Sequence, residues 1–79
     1  PSYPPMSRRL GEQGRVILDV FILANGAVGD IRLKQSSGFK RLDEAAMQAV
    51  KKWQYQPARK GQQAIDFWYV QPLSFSLSS

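Results

Sequence analysis

The chain has 79 residues, enough for one small domain, and its 43% hydrophobic and 22% charged residues are ordinary for a folded globular protein. The absence of cysteine and histidine excludes disulfide bonds, thiol nucleophiles, cysteine-based metal sites and the most common general base. A net charge of +5 comes from basic residues that never occur more than two in a row, which indicates a mildly basic, solvated surface.

The first stretch is predicted to be an extended arm followed by one helical turn. Residues 1–5 are rich in proline, and proline fixes φ and disfavours helix in the residue before it. We therefore expect these five residues to be extended. Met6 and Leu10 then lie at i, i+4, a spacing that places both on one face of a short helix.

The next stretch, residues 15–23, is a predicted strand with alternating apolar residues. One face of this strand must meet the core. The other face is also mostly apolar and is too hydrophobic for plain exposure to solvent. We therefore expect the segment of Tyr3 and Pro4 to cover part of it.

A hairpin is predicted to follow this strand. Asn25-Gly26 favours a type I′ turn, which needs φ > 0 at both central residues. The return strand spans residues 27–36. Val28 is out of phase with the later apolar residues of this strand, which indicates either a bulge near Gly29 or a Val28 that belongs to the turn.

The one long helix is predicted over residues 40–55. Ser36 and Ser37 precede it as candidate caps, and Pro57 is expected to end it. Apolar residues at helical spacing define one buried face, and they are Leu42, Ala46, Ala49, Val50 and Trp53.

The chain closes with a polar, basic loop over residues 58–63 and a strand within residues 66–77. Pro72 has no N–H to donate to a ladder, so this strand is expected at the edge of the sheet. The order of elements predicts an α+β fold. It is a two-layer sandwich with a three-stranded antiparallel sheet, one long helix packed on a face and a short N-terminal helical turn.

The sequence offers no arrangement of residues for catalysis. Asp19 and Asp30 lie on paired strands and could approach each other, but a place on the strand surface explains each of them more simply. No nucleophile–base motif and no phosphate-binding glycine loop is present. We therefore predict that the domain is not an enzyme and has no catalytic residue, metal site or cofactor.

Three consecutive aromatic residues, Phe67, Trp68 and Tyr69, could stack on single-stranded bases. The first strand, however, lacks the paired aromatic residues of an RNA-recognition sheet, so we predict no nucleic-acid partner. Trp68 and Tyr69 are neighbours in a strand and face opposite ways. At most one of them is therefore buried in the core, and the other either contacts a partner or covers the second face of the sheet.

The last strand is the predicted interaction element. An edge strand leaves a row of backbone donors and acceptors unpaired, and another chain can bind there by adding a strand. For the same reason, a fragment that contains this strand is expected to be able to form a homodimer by edge pairing or strand exchange.

Several motifs occur in order along the chain. They are Tyr3-Pro4, Gly14-x-Val16-x-Leu18-x-Val20-Phe21-Ile22, Asn25-Gly26, Ser36-Ser37-Gly38, Leu42-Asp43-Glu44-Ala45-Ala46, Trp53-Gln54-Tyr55-Gln56-Pro57-Ala58 and Pro72-Leu73-Ser74-Phe75-Ser76-Leu77. Together they resemble the C-terminal domain of TonB-type energy transducers of Gram-negative bacteria. The resemblance covers residues 1–79 as a single domain.

The resemblance implies a periplasmic domain at the end of a longer protein, which is anchored in the inner membrane by one N-terminal helix and works with ExbB and ExbD. The chain begins at Pro1 without Met, and none of its apolar runs approaches the ~20 residues that span a bilayer. We therefore expect a fragment or a processed product. A TolA-like domain and a transducer dedicated to a single receptor are the alternatives, and a basic module that binds single-stranded nucleic acid is a less favoured one.

The implied partners are outer-membrane transporters for siderophores, haem or cobalamin, and their TonB box adds as a strand beside the last strand. Carried onto this sequence, the implied partner-binding residues are Tyr3, Pro4, Tyr69, Val70, Gln71, Pro72, Leu73, Ser74, Phe75 and Ser76.

Overall fold

The computed structural model describes residues 2–77. They form α1 (Pro5–Leu10), β1 (Gly14–Ile22), β2 (Val28–Gln35), α2 (Lys40–Lys51), β3 (Ala58–Lys60), β4 (Gln63–Ile65) and β5 (Phe67–Phe75). β1 lies between β2 and β5 in a three-stranded antiparallel sheet, and β3 and β4 form a separate two-stranded pair. These elements confirm the predicted α+β fold. Within the described residues, neither helix has the length and apolarity needed to cross a membrane.

The core lies between one face of the sheet and α2. Every second residue of β1 points to this covered face, because successive side chains of a strand point to opposite sides. The buried apolar residues come from β1, α2 and β5, and they are Val16, Leu18, Val20, Ile22, Leu42, Ala46, Val50, Leu73 and Phe75. Tyr3, Trp53 and Tyr55 are partly buried against this core, so the arm and the segment after α2 extend the second layer.

α2 is shorter than the helix predicted over residues 40–55. It ends at Lys51, well before Pro57. The Tyr55 N–H donates a hydrogen bond to the Gly26 carbonyl at 2.8 Å, which holds the segment after α2 against the turn between β1 and β2. The helix therefore ends where a tertiary contact outweighs the local helical pattern.

The serines before α2 do not cap it as predicted. The N-cap residue is Phe39, and it makes no side-chain cap bond. Both serine hydroxyls, from Ser36 and Ser37, donate instead to the Asp43 carboxylate, and the Ser37 N–H donates to it at 2.9 Å. Burial by itself raises the pKa of Asp43, but these hydrogen bonds outweigh burial and lower that pKa. The carboxylate thus ties the preceding loop to the start of α2.

The β1–β2 connection is a hairpin, but the predicted type I′ turn is wrong. Gly26 has a φ of +86°, whereas Asn25 does not have positive φ. The Gly26 N–H donates to the Leu23 carbonyl at 2.8 Å, so a turn is followed by one glycine with positive φ, as in longer hairpin connections. A Cβ on Gly26 would collide with the carbonyl oxygen of Tyr55, so the close approach of the two segments also requires glycine.

The bulge predicted near Gly29 is confirmed. The pairing of β1 with β2 passes from Phe21 opposite Asp30 directly to Ile22 opposite Val28, which leaves Gly29 without a partner in β1. The extra residue restores the phase, so that Val28 packs against the core.

Two further boundaries differ from the sequence prediction. Pro5 is the first residue of α1 rather than the last residue of the arm, because a helix does not need the N–H that proline lacks in its first turn. Residues 58–63 are not a loop, since they include β3 and the start of its pairing with β4. Gly61, with a φ of +63°, allows the two-residue turn between these strands.

The second face of the sheet is not covered by Tyr3 and Pro4, contrary to expectation. The Tyr3 ring packs edge-on against Phe75, with 5.4 Å between the ring centroids, and Phe75 lies in the core on the covered face. The register of the three strands places a different set of residues on the second face, where Trp68 and Val70 are exposed. We call this surface the open face; its residues include Ile17, Asp19, Phe21, Arg32, Trp68, Val70 and Pro72.

Candidate strand-binding edge

β5 is paired along one side only. Its nine residues pair with β1, from Phe67 opposite Ile22 to Phe75 opposite Gly14. Within residues 2–77, no strand pairs with its other side, which confirms the edge position predicted from Pro72. β5 therefore has a complete ladder to the body of the domain and a row of backbone groups that no described strand satisfies.

A side-chain hydrogen bond shows which backbone groups face this free side. Nε2 of Gln71 donates to the Pro72 carbonyl oxygen at 3.0 Å. A side chain of β5 can reach a carbonyl of its own strand only from the free side, because β1 lies ~5 Å away on the other side. The Pro72 carbonyl therefore faces outward. Since backbone direction alternates along a strand, the N–H and C=O groups of Val70 and Ser74 face outward as well.

The side chains divide β5 into an exposed half and a buried half. Trp68, Tyr69 and Val70 are 46%, 43% and 48% exposed, whereas Leu73 and Phe75 are each 4% exposed. The exposed half offers apolar side chains on both faces of the sheet to an added strand. The buried half offers mainly backbone, because Leu73 and Phe75 belong to the core.

The N-terminal arm lies beside the buried half of β5. The Tyr3 ring contacts Phe75, and its hydroxyl donates to the Glu12 carbonyl. The Arg8 guanidinium lies 5.3 Å from the centroid of the Tyr3 ring, a favourable cation–π distance. Tyr3 is thus a packing residue whose hydroxyl is already bonded, and the half-buried Pro4 is the N-cap residue of α1.

A row of aromatic rings lies beside the exposed half of β5, on the covered face. The centroid distances are 6.1 Å from Trp53 to Tyr55, 6.0 Å from Tyr55 to Tyr69 and 6.5 Å from Tyr69 to Phe67. The Tyr55 hydroxyl donates to Oε1 of Gln71 at 3.0 Å. Burial, and then the neighbouring Tyr69, raise the pKa of Tyr55, so this hydroxyl remains a donor at neutral pH.

A family model described as the Gram-negative bacterial TonB protein C-terminal matches residues 1–77. The chain belongs to the TonB C-terminal domain family. The tonB2 protein of Pseudomonas aeruginosa is 42% identical over 78 residues, and the TonB protein of Xanthomonas campestris pv. campestris is 42% identical over 79 residues. Each match covers 99% of this chain but only 29% and 35%, respectively, of those proteins. The chain therefore spans about a third of the length of these relatives.

Two solved TonB C-terminal domains are similar in fold. The solution NMR structure of the Pseudomonas aeruginosa domain matches with a TM-score of 0.83 and 26% identity, covering 100% of this chain and 80% of that one. The NMR structure of the Helicobacter pylori domain matches with a TM-score of 0.70 and 26% identity, covering 99% and 82%. These matches agree with the architecture of the sheet and helices described above.

The predicted partner-binding residues of this TonB C-terminal domain are not equally accessible. The exposed ones are Tyr69, Val70, Pro72, Ser74 and Ser76, the partly buried ones are Tyr3, Pro4 and Gln71, and the buried ones are Leu73 and Phe75. All of them lie on β5, directly after it, or in the arm beside its buried half. Their role in binding stays a prediction, and for Leu73 and Phe75 it is a prediction about backbone rather than side chain.

The predicted set omits Trp68, which the TonB C-terminal domain exposes on the open face. Its ring lies 5.0 Å from Phe21, and the Arg32 guanidinium lies 4.9 Å from its centroid. A small cavity beside it is lined by Asp19, Arg32 and Trp68. Asp19 stands opposite Arg32 in the sheet, so it is not paired with Asp30. Among the described residues, no group of three or more acidic residues is placed to hold a metal ion.

Proposed function

We propose that this domain is the partner-binding end of a TonB-type energy transducer. It binds the TonB box of an outer-membrane transporter, in the periplasm, by adding the box as a strand to the free side of β5. The observation that carries the proposal is the outward-facing backbone row of β5 beside exposed Trp68, Tyr69 and Val70. Membership of the TonB C-terminal domain family supports this choice of partner.

Strand addition suits a domain that must hold different partners under load. Backbone hydrogen bonds supply the affinity, so one edge accepts several box sequences, while side-chain contacts adjust the preference among them. β5 is joined to β1 along its whole length, and β1 is joined to β2. A pull along the added strand is therefore distributed over parallel rows of hydrogen bonds.

The remaining roles belong to the longer protein of which this chain is a part. The proposed transducer is anchored in the inner membrane by a single N-terminal helix, and ExbB and ExbD drive it with the proton-motive force. It supports uptake of siderophores, haem or cobalamin. Residues 1–79 act as one domain and as a mechanical coupler, without catalytic chemistry and without a nucleic-acid partner.

An amide NMR titration with a panel of TonB-box peptides, at low and at moderate salt, tests the proposal. We expect chemical-shift changes on β5 and near Tyr3 that persist at moderate salt. Val70→Pro removes an outward N–H and should weaken binding about fivefold, the effect of one lost hydrogen bond. The control is the double substitution Arg59→Gln and Lys60→Gln on β3, which lowers the charge without touching β5 and should leave affinity at moderate salt unchanged.

Other outcomes point to other partners. No change with any peptide would contradict a general transducer and would favour the dedicated or TolA-like alternative. Changes that scatter over Lys and Arg residues and vanish with salt would indicate diffuse electrostatic binding, since screening removes contacts between exposed charges. An oligonucleotide titration would then distinguish nucleic acid, whose binding falls steeply with salt.

A further inference from the structure

At the middle of the free side of β5, the outward backbone position is already occupied by a side chain of the same domain. Pro72 has no N–H, and its outward carbonyl accepts a hydrogen bond from Nε2 of Gln71 at 3.0 Å. The neighbouring outward positions, Val70 and Ser74, have both an N–H and a C=O for a partner. The free edge is therefore two stretches of backbone separated by one position that is already satisfied.

Tyr55 holds the Gln71 side chain in this orientation. Its hydroxyl donates to Oε1 of Gln71 at 3.0 Å, so the amide oxygen faces Tyr55 and the amide nitrogen is left to face Pro72. Tyr55 is itself fixed by the bond from its N–H to the Gly26 carbonyl at 2.8 Å and by its contact with Tyr69. The Gln71 amide is thus held in place by Tyr55, which is itself held by its own contacts; we call this pair of contacts the relay from Tyr55 to Gln71.

We propose that Gln71 determines how a partner strand pairs with β5. Its side-chain amide occupies the Pro72 carbonyl, which we call sealing it, so the partner strand forms its hydrogen bonds at the outward positions on either side of Pro72. This inference rests on the proposed function, because it assumes a strand that adds to β5. A partner gains the bond at Pro72 only if it displaces the Gln71 amide. The same seal weakens pairing of β5 with a second copy, since natural edges are protected by proline and by occupied backbone groups.

Backbone N-methylation of a bound TonB-box peptide, one residue at a time, tests the proposal. Each methyl group removes one N–H donor and leaves the side chain in place. In the wild-type domain, methylation of the residue opposite Pro72 should change affinity less than about twofold, because no bond is lost there. Methylation of a residue that donates to Val70 or Ser74 should weaken binding about fivefold, the effect of one hydrogen bond.

Two substitutions of Gln71 open the seal. Gln71→Glu keeps the size and the acceptor for Tyr55 but removes the donor, and Gln71→Leu removes both. Each should strengthen binding of the unmodified peptide about threefold to fivefold and make methylation opposite Pro72 costly. Urea unfolding of both variants checks that the fold is intact. Weaker binding by both folded variants, with no new methylation effect, would overturn the proposal, because Gln71 would then be a direct contact.

A measurement without peptide keeps the proposal testable even if no TonB box binds. Side-chain amide exchange of Gln71 should be about fivefold slower than that of the exposed Gln62 and Gln63. Tyr55→Phe should remove much of this protection. Equal exchange rates for the three glutamines in the wild-type domain would overturn the seal, whereas normal protection with no peptide binding would overturn only the proposed function.

Discussion

The two faces of the three-stranded sheet are both rich in apolar residues, but the fold treats them differently. On the covered face, Leu18 and Val20 are completely buried between the sheet and α2. On the open face, Ile17 and Phe21 of the same strand are only partly buried, and Trp68 remains exposed. Neighbours one residue apart thus lie in the core and at the surface.

The open face shows how side chains on a sheet can be partly shielded from water without a second layer packed above them. Phe21 and Trp68 shield each other sideways across β1 and β5, and Arg32 lies over the indole ring. Such contacts cover part of each side chain but exclude water less completely than α2 does. Apolar alternation therefore indicates a strand reliably, but the degree of burial depends on what packs above each face.

Paired truncations in β1 test the contrast most strongly. Leu18→Ala should destabilise the domain by about 3 kcal/mol or more, because it leaves a cavity between the sheet and α2. Ile17→Ala should cost about 1 kcal/mol, since this side chain is already partly exposed. Urea unfolding at pH 7 measures both. If both variants lost the same unfolding free energy, Ile17 would be as deeply buried in solution as Leu18, and the contrast between the two faces would be wrong.

The second prediction concerns the loop before α2, which the Asp43 carboxylate ties to the start of the helix. Asp43→Asn should lose about 2 kcal/mol at pH 7, because it weakens hydrogen bonds to a buried charge. The pKa of Asp43 is lowered in the fold, so this contribution is complete above the usual value of 3.8 and disappears as pH falls through the lower folded-state pKa. The gap between wild type and variant should therefore close in acid. Glu44→Gln, at an exposed neighbour, is the control and should show no such gap.

A smaller effect is expected where the N-terminal arm joins the covered face. Tyr3→Phe removes the hydroxyl that donates to the Glu12 carbonyl and should cost about 1 kcal/mol of unfolding free energy. Tyr69→Phe, at an exposed tyrosine, should cost less. Thermal unfolding of both variants compares them, and a larger loss at Tyr69 would place the arm outside the cooperative unit.

The smallest expected effect lies on the open face. A double-mutant cycle with Arg32→Gln and Trp68→Leu should give a coupling energy of about 0.5 kcal/mol, typical of an exposed cation–π contact. Chemical unfolding of the four proteins supplies the cycle. A coupling energy of zero would mean that the contact between Arg32 and the Trp68 indole does not stabilise the fold.

The candidate site was predictable from the sequence to the extent that it depends on local chemistry. Pro72 alone indicated an edge strand, and the topology confirms it. The structure adds that Leu73 and Phe75 of this strand both belong to the core. Trp68 was left out of the predicted set because the sequence does not show that the open face stays uncovered. The relay from Tyr55 to Gln71 was likewise invisible, since it joins residues from different segments.

By itself, the sequence determined the order of the two helices and the three strands of the main sheet, the hairpin between β1 and β2, and the edge position of the last strand. These features follow from periodicity and from the backbone chemistry of glycine and proline, which act within a few residues. Only the tertiary structure decided which face is covered, that α2 ends at Lys51 and that Tyr55 orients the Gln71 amide. Each of these depends on contacts between distant segments, and one such hydrogen bond, worth about 1 kcal/mol, is comparable to the local preferences it overrides.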